Sequence, residues 1–328
     1  MILINSKDED YSTNMVCKWL LNFQKTFLRL GEDNVIKGLD ILINNKGEHV
    51  SLFTENIQFN FSDIESYWLR KGKLKLNSKF TFTLREDEEF LASNSLFRYL
   101  MHEETQSLID FMNYKLKQRP HLGNENLGEG NKLISFVIAR ECGLRIPQSF
   151  ISTSKKNLYD YYEKNDKLIV KPIEDGYGTH ENQLDVSTRY VIANEKTFEN
   201  VSEYVFPSCM QEYIEKKIEI RVFYLKGELF SMAIFSQIDP KTKIDFRNYN
   251  DDKPNRMVPY NLPNSIALKI KLFMQRIELN SGSLDLILTR DNEYVFLEVN
   301  PAGQYGMVDF ACNYGLDKRI AQFLAYEN

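Results

Sequence analysis

The sequence predicts a mixed α/β (α+β) chain of more than one domain, and three observations carry that reading. Strand-like and helix-like apolar patterns alternate over the first hundred or so residues. A turn-rich stretch at 120–130 then interrupts the chain, and from Met210 onward the pattern changes to β-hairpins. The chain has 328 residues, room for two domains or three small ones at about 150 residues each. Hydrophobic residues make up 43% and aromatics 13%, which supports a packed core and excludes disorder as the main state.

Taken in order, residues 1–5 (MILIN) read as a buried strand. Ser12-Thr13 offers an N-cap for a helix on which Met15, Val16, Trp19, Leu20, Phe23 and Phe27 recur at helical spacing. Strand-like runs follow at 35–43 and 49–53, and Tyr67-Trp68-Leu69-Arg70 ends a fourth strand. A long helix over 90–117 keeps Leu91, Leu96, Leu100, Leu108 and Met112 on its apolar side. Pro120, Gly123, Gly128 and Gly130 mark the linker. Beyond it a helix over 131–142 stops at Gly143, with Pro147 following. Residues 150–153 and 167–173 read as strands around a Tyr-rich helix (Leu158, Tyr159, Tyr162). Lys226-Gly227 turns a hairpin between 218–225 and 229–237, and Asp291-Asn292 turns another between 283–290 and 293–300. A helix at about 265–278 lies between them. No internal repeat interrupts this order.

The charge balance removes several function classes. Lys and Arg total 41 against 46 Asp and Glu, a net charge of −5, which argues against a nucleic-acid binder working by blanket phosphate neutralisation. No apolar run approaches the roughly 18 residues that span a bilayer, so no membrane is expected. The N-terminal run is too short for a signal-peptide core and is followed by Asp8, Glu9 and Asp10. Cys17, Cys142, Cys209 and Cys312, and the four histidines, are scattered without ligand spacing. They read as reduced thiols and ordinary imidazoles of a cytoplasmic protein.

Chemistry concentrates in the last hairpin. If Asp291-Asn292 is a two-residue turn, Arg290 pairs with Glu293 and Asp285 falls opposite Glu298, with Asn300 on the same face. Facing carboxylates repel, and a divalent cation with hard oxygen ligands would relieve them; two carboxylates and an amide oxygen suit Mg²⁺. A neighbouring Arg or Lys would serve as well, and a turn one residue longer would offset the pair. Lys171 is the one charge in the apolar strand at 168–173 (LIVKPI) and needs an anionic partner. The loop after it carries Gly176 and Gly178, whose backbone N–H groups could cover phosphates. Glu219 and Arg221 alternate with Ile218, Ile220 and Val222, so both leave one face of a strand, as a cross-strand ion pair also would. Arg247 sits in a polar loop (DFRNY, 245–249), and Trp68 with Arg70 forms an aromatic–cation pair that packing alone would explain.

The order of these parts resembles the ATP-grasp ligases, over about residue 131 to the end. Residues 167–179 are similar to that family's phosphate-gripping strand and loop, and Gln211, Glu212, Tyr213 and Ile214 to its adenine-binding hinge. Asp285, Glu298 and Asn300 match its Mg²⁺ ligands. A narrower likeness runs nearly end to end. Residues 10–20, 67–70, 131–132, 143–147, 245–249 and 296–306 (FLEVNPAGQYG) are similar to the graspetide maturases, the microviridin-like and grasp-with-spasm ATP-grasp enzymes. The likeness implies an N-terminal pre-ATP-grasp α/β domain (1–120), a small central subdomain (121–207) and a C-terminal antiparallel-sheet subdomain (208–328).

The resemblance also implies an activity. ATP phosphorylates an Asp or Glu side chain of a ribosomally made precursor peptide, and a Ser or Thr hydroxyl or a Lys amine of that peptide then displaces phosphate. In these terms Lys132 and Lys171 hold the phosphates, Gly176 and Gly178 cover them, and Glu219 takes the ribose hydroxyls. Arg221 and Arg247 neutralise the charge that develops; no residue stands out as the base, for which Asp245 is a candidate. Relatives being commonly dimers, a homodimer is expected. Two rivals share the nucleotide site: another ATP-grasp carboxylate–amine ligase, of glutamate-adding or dipeptide type, and an ATP-binding module without catalysis.

Overall fold

Residues 2–5 form β1 (Ile2–Asn5), every one of them buried. The computed structural model describes residues 1–31, 35–71, 74–76, 95–123, 131–173, 178–181, 184–187, 190–238 and 254–326. The chain separates into two units, Met1–Glu125 with Gly315–Asn328, and Asn126–Tyr314.

In the first unit α1 (Tyr11–Asn22) follows β1. Its N-cap is Asp10, not Ser12-Thr13 as the sequence suggests: Asp10 Oδ1 accepts from the Thr13 backbone N–H at 2.8 Å. The carboxylate is held there by Lys71 at 2.5 Å and Arg70 at 3.6 Å, two residues about sixty positions further along the chain. Phe27 does not extend the helix. Phe23 is the C-cap, Gln24 turns left-handed at φ 57°, and Phe27 opens β2 (Phe27–Leu30). Then come β3 (Gly38–Asn44), β4 (Gly47–Phe53) and β5 (Gln58–Asn60), an antiparallel sheet in the order β3-β4-β5. β6 (Ser66–Leu69), α2 (Ser95–Lys117) and β7 (His121–Leu122) complete the unit; residues 90–94, expected in α2, lie outside the described residues. β1 lies between β2 and β6 in a parallel sheet ordered β2-β1-β6-β7. The helix Leu316–Tyr326 packs against α1, and its Leu324 carbonyl accepts the Ser66 hydroxyl at 2.6 Å.

The second unit opens with α3 (Lys132–Glu141), capped by Asn131 and stopped by Gly143 at φ 78°. There follow β8 (Ser149–Ser154), α4 (Lys155–Glu163), β9 (Leu168–Lys171), the hairpin β10 (Gly178–Glu181) and β11 (Leu184–Ser187), β12 (Val191–Ile192) and β13 (Tyr204–Glu212). β12-β9-β13-β8 form one sheet. Leu168, Met210 and Phe198 pack with the α4 side chains Leu158, Tyr159 and Tyr162.

The second sheet is ordered β16-β15-β14-β17-β18. It is built from β14 (Lys216–Leu225), β15 (Glu228–Phe235), β16 (Arg256–Pro259), β17 (Ser281–Thr289) and β18 (Tyr294–Asn300), with α5 (Asn264–Arg276) before β17 and α6 (Gly306–Cys312) after β18. Lys226 and Gly227 are both left-handed, as a two-residue hairpin turn requires. One face of the sheet is the core: Ile218, Ile220, Val222, Leu284, Leu286 and Phe296 pack against Phe136 of α3 and Phe273 of α5. The alternate residues leave the other face. No helix among the described residues is long and apolar enough to cross a membrane.

The last hairpin departs from the sequence expectation in an informative way. Its loop has three residues, 290–292, with Asn292 left-handed at φ 64° and the Thr289 N–H bonded to the Glu293 carbonyl at 2.9 Å. Leu288 therefore pairs with Tyr294, one residue off the expected register. A β-bulge between Phe296 and Glu298 then inserts Leu297 and restores Asp285 opposite Glu298.

Candidate active site

The polar face of β14 and β17, with Leu297 and Glu298 of β18 and residues of β9 and β13, encloses an open cleft. Ile169, Ile214, Ile287 and Leu297 line it with hydrocarbon; Ile214, Ile287, Val295 and Leu297 form one apolar cluster. The bulge has a direct effect here, because it turns both Leu297 and Glu298 toward the cleft.

At one end the chain crosses from β13 to β14 through Gln211, Glu212, Tyr213 and Ile214. Gln211 is buried and donates to the Ser149 hydroxyl at 2.7 Å. The Glu212 carboxylate is drawn outward to Arg145 at 3.0 Å and the Gln148 N–H at 3.1 Å. Arg145 also reaches Glu293, and its carbonyl accepts the Phe296 N–H at 2.8 Å, so one residue ties this crossing to β18. Lys167 stands over the Tyr213 ring at 3.7 Å. Glu219 faces into the cleft bonded to Lys216, which is itself buried.

At the other end the charges meet. Arg221 and Asp285 are register partners on neighbouring strands, Nη1 to Oδ2 at 3.7 Å, and Asp285 faces Glu298 across β17 and β18. Lys132, at the start of α3, is buried and places its Nζ 3.0 Å from Glu298 Oε2. Lys171 closes β9 beside Cys209. Burial pushes the Cys209 thiol up, opposed by the charges of Lys171 and Lys132, so both ammonium groups converge on this end. Asn300 stands opposite Ser283, outside the cleft lining, and its Oδ1 accepts the Ala302 N–H at 3.0 Å.

The structure thus gathers Lys132, Lys171, Gln211, Glu212, Tyr213, Ile214, Glu219, Arg221, Asp285 and Glu298 around one cleft. Gly178 opens β10; Gly176, Arg247 and Asp245 lie outside the described residues. Among the described residues no group of three or more His, Cys, Asp and Glu side chains is arranged to hold a metal. The facing pair Asp285 and Glu298 nonetheless offers hard oxygen ligands of the kind Mg²⁺ takes, usually with waters and phosphates, whereas Asn300, expected beside them, stands outside the lining. Sequence reading missed Lys216, which sits in an ordinary-looking run (EKK, 215–217), and Ile169, Tyr190 and Leu297 of the lining. Nothing in the sequence points to Arg145 as a tie.

The fold is the ATP-grasp fold. Among the solved structures it is similar to are a Chryseobacterium gregarium RiPP-associated ATP-grasp ligase in complex with ADP and a leader and core peptide (TM-score 0.78, 20% identity, 100% of this chain and 97% of that one), and the macrocyclase MdnC of Microcystis aeruginosa MRC bound with precursor peptide MdnA (TM-score 0.75, 21% identity, 100% of both chains). D-alanyl-alanine synthetase A from Vibrio cholerae, 12% identical over 98% of this chain and 96% of its own, superposes less closely at TM-score 0.56. No protein-family model matches the sequence, and no curated protein matches it.

Proposed function

We propose that this chain is an ATP- and Mg²⁺-dependent ligase that activates side-chain carboxylates of a ribosomally made precursor peptide and joins them to hydroxyl or amine groups of the same peptide. The observation that carries the reading is the cleft itself. Its apolar slot beside the 211–214 crossing suits a flat base, Glu219 suits ribose hydroxyls, and Lys132, Lys171 and Arg221 gather where a triphosphate would end. Support for the peptide substrate comes from similarity over the whole length to ligases solved with leader and core peptides, against the weaker match to a dipeptide-forming synthetase.

In this reading Asp285, Glu298 and Asn300 would hold Mg²⁺, which when bound neutralises and aligns phosphate oxygens. The chain's own groups do the rest. Glu219 and the crossing orient the nucleotide. Lys132 and Lys171 bind its phosphates. Arg221, with Arg247, offsets the charge that builds as a substrate carboxylate oxygen attacks the γ-phosphorus and ADP leaves. The peptide's hydroxyl or amine then attacks the acyl carbon, phosphate departs, and the nucleophile loses its proton. The division at residues 120 and 207, a homodimer and a cytoplasmic setting belong to the same reading. Mass spectrometry of a candidate precursor incubated with the protein, ATP and Mg²⁺ tests it. Loss of one water per linkage with matching ADP release is expected; ADP release only with free amino acids would overturn it in favour of a dipeptide-type ligase.

A further inference from the structure

Two cations stand on the carboxylates that would seat the metal. Lys132 Nζ lies 3.0 Å from Glu298, with only 5% of the lysine side chain exposed, and Arg221 lies 3.7 Å from Asp285. Among the described residues the other charged groups of the cleft are Glu219, engaged by Lys216, Glu212, engaged by Arg145, and Lys171 at the end of β9. Among the described residues the cations Lys132, Lys171, Lys216 and Arg221 equal in number the anions Glu212, Glu219, Asp285 and Glu298. A bare dication entering here meets the local positive charges of Lys132 and Arg221 and carboxylates already paired with them. A polyphosphate reverses both conditions, because its oxygens offer Lys132 and Arg221 a better partner and release the carboxylates.

We infer that Lys132 makes metal binding conditional on nucleotide: it occupies Glu298 until phosphate oxygens draw it away, so the divalent ion enters only with the nucleotide. This rests on the proposed function and concerns the order in which its site is filled. Lys132 is in this respect a positioning residue, and its signature is a gain of binding, which a merely structural lysine would not give.

The probe is Mn²⁺ alone, titrated against the full chain and followed by the electron paramagnetic resonance signal of the free ion. Lys132→Met is expected to bind bare Mn²⁺ about tenfold more tightly than wild type or better, within the usual range of coupling between sites. Glu298→Gln in the same chain should abolish the gain. An unchanged affinity overturns the inference. Should Lys132→Met not fold, crystals of the wild-type protein soaked in MnCl₂ decide. Anomalous density on Asp285 and Glu298 without nucleotide overturns it, and density that arises only with AMPPNP supports it. Calorimetry of Mg²⁺–AMPPNP with the wild-type protein separates the two readings. Failure to bind overturns the proposed function and the inference together, whereas binding alongside an unchanged variant overturns the inference alone.

Discussion

Replacing Asp10 by Asn tests the electrostatics of the first unit with little change of shape. Asn caps a helix about as well as Asp, so the substitution removes the charge that faces Arg70 and Lys71 and keeps the acceptor for the Thr13 N–H. Burial alone would raise the Asp10 carboxyl. The hydrogen bond from Lys71, the charge of Arg70 and the donors of Thr13 outweigh it and hold the group at about 2, against an ordinary 3.8. A shift of that size corresponds to about 2 kcal/mol of stability. The folded-state value is the lower one, so this stability is complete well above 3.8 and fades as pH falls toward 2. The two tryptophans of the chain, Trp19 and Trp68, both lie in the first unit, so tryptophan fluorescence, excited beyond the tyrosine absorption, reports that unit alone during urea unfolding. At pH 7 Asp10→Asn should unfold about 2 kcal/mol more easily than wild type, and by about pH 2.5 the gap should shrink to less than half. A gap of equal size at both pH values would refute the reasoning.

Arg221→Ala should fold and still bind nucleotide while turnover falls on the order of 10²–10³-fold, measured as ADP release; near-normal turnover refutes its role. Glu219→Gln should raise the KM for ATP about tenfold or more with a smaller change in kcat, since the lost contact is made equally in the ground and transition states. Phe296→Ala should destabilise the second unit by about 3–5 kcal/mol in calorimetry. The ring is fully buried, with centroids 4.9 Å from Phe273 and 6.3 Å from Phe136.

Local chemistry made much of this legible. Alternation along 218–222 puts Glu219 and Arg221 on one face, and Gly143 and Lys226-Gly227 announce their turns through backbone freedom. The pairing of Asp285 with Glu298 was reached through two compensating departures: the loop is a residue longer than expected, and the bulge at Leu297 takes up the difference. Contacts between distant segments stayed hidden. The pull of Arg70 and Lys71 on Asp10 selects the cap of α1, and Lys132 meets Glu298 only because α3 packs on the hairpin sheet. Arg145, whose guanidinium and carbonyl both bind across segments, looks like any polar residue in a loop.

In most strands, excising one residue would turn every later side chain to the opposite side. Position 297 of β18 is an exception, because it is the surplus residue of the bulge. A chain shortened there would keep Phe296 inward and Glu298 across from Asp285, with a straighter ladder. What it would lose is one apolar wall of the cleft. The strand thus carries a place where evolution or an engineer can reshape the cleft without rethreading the sheet.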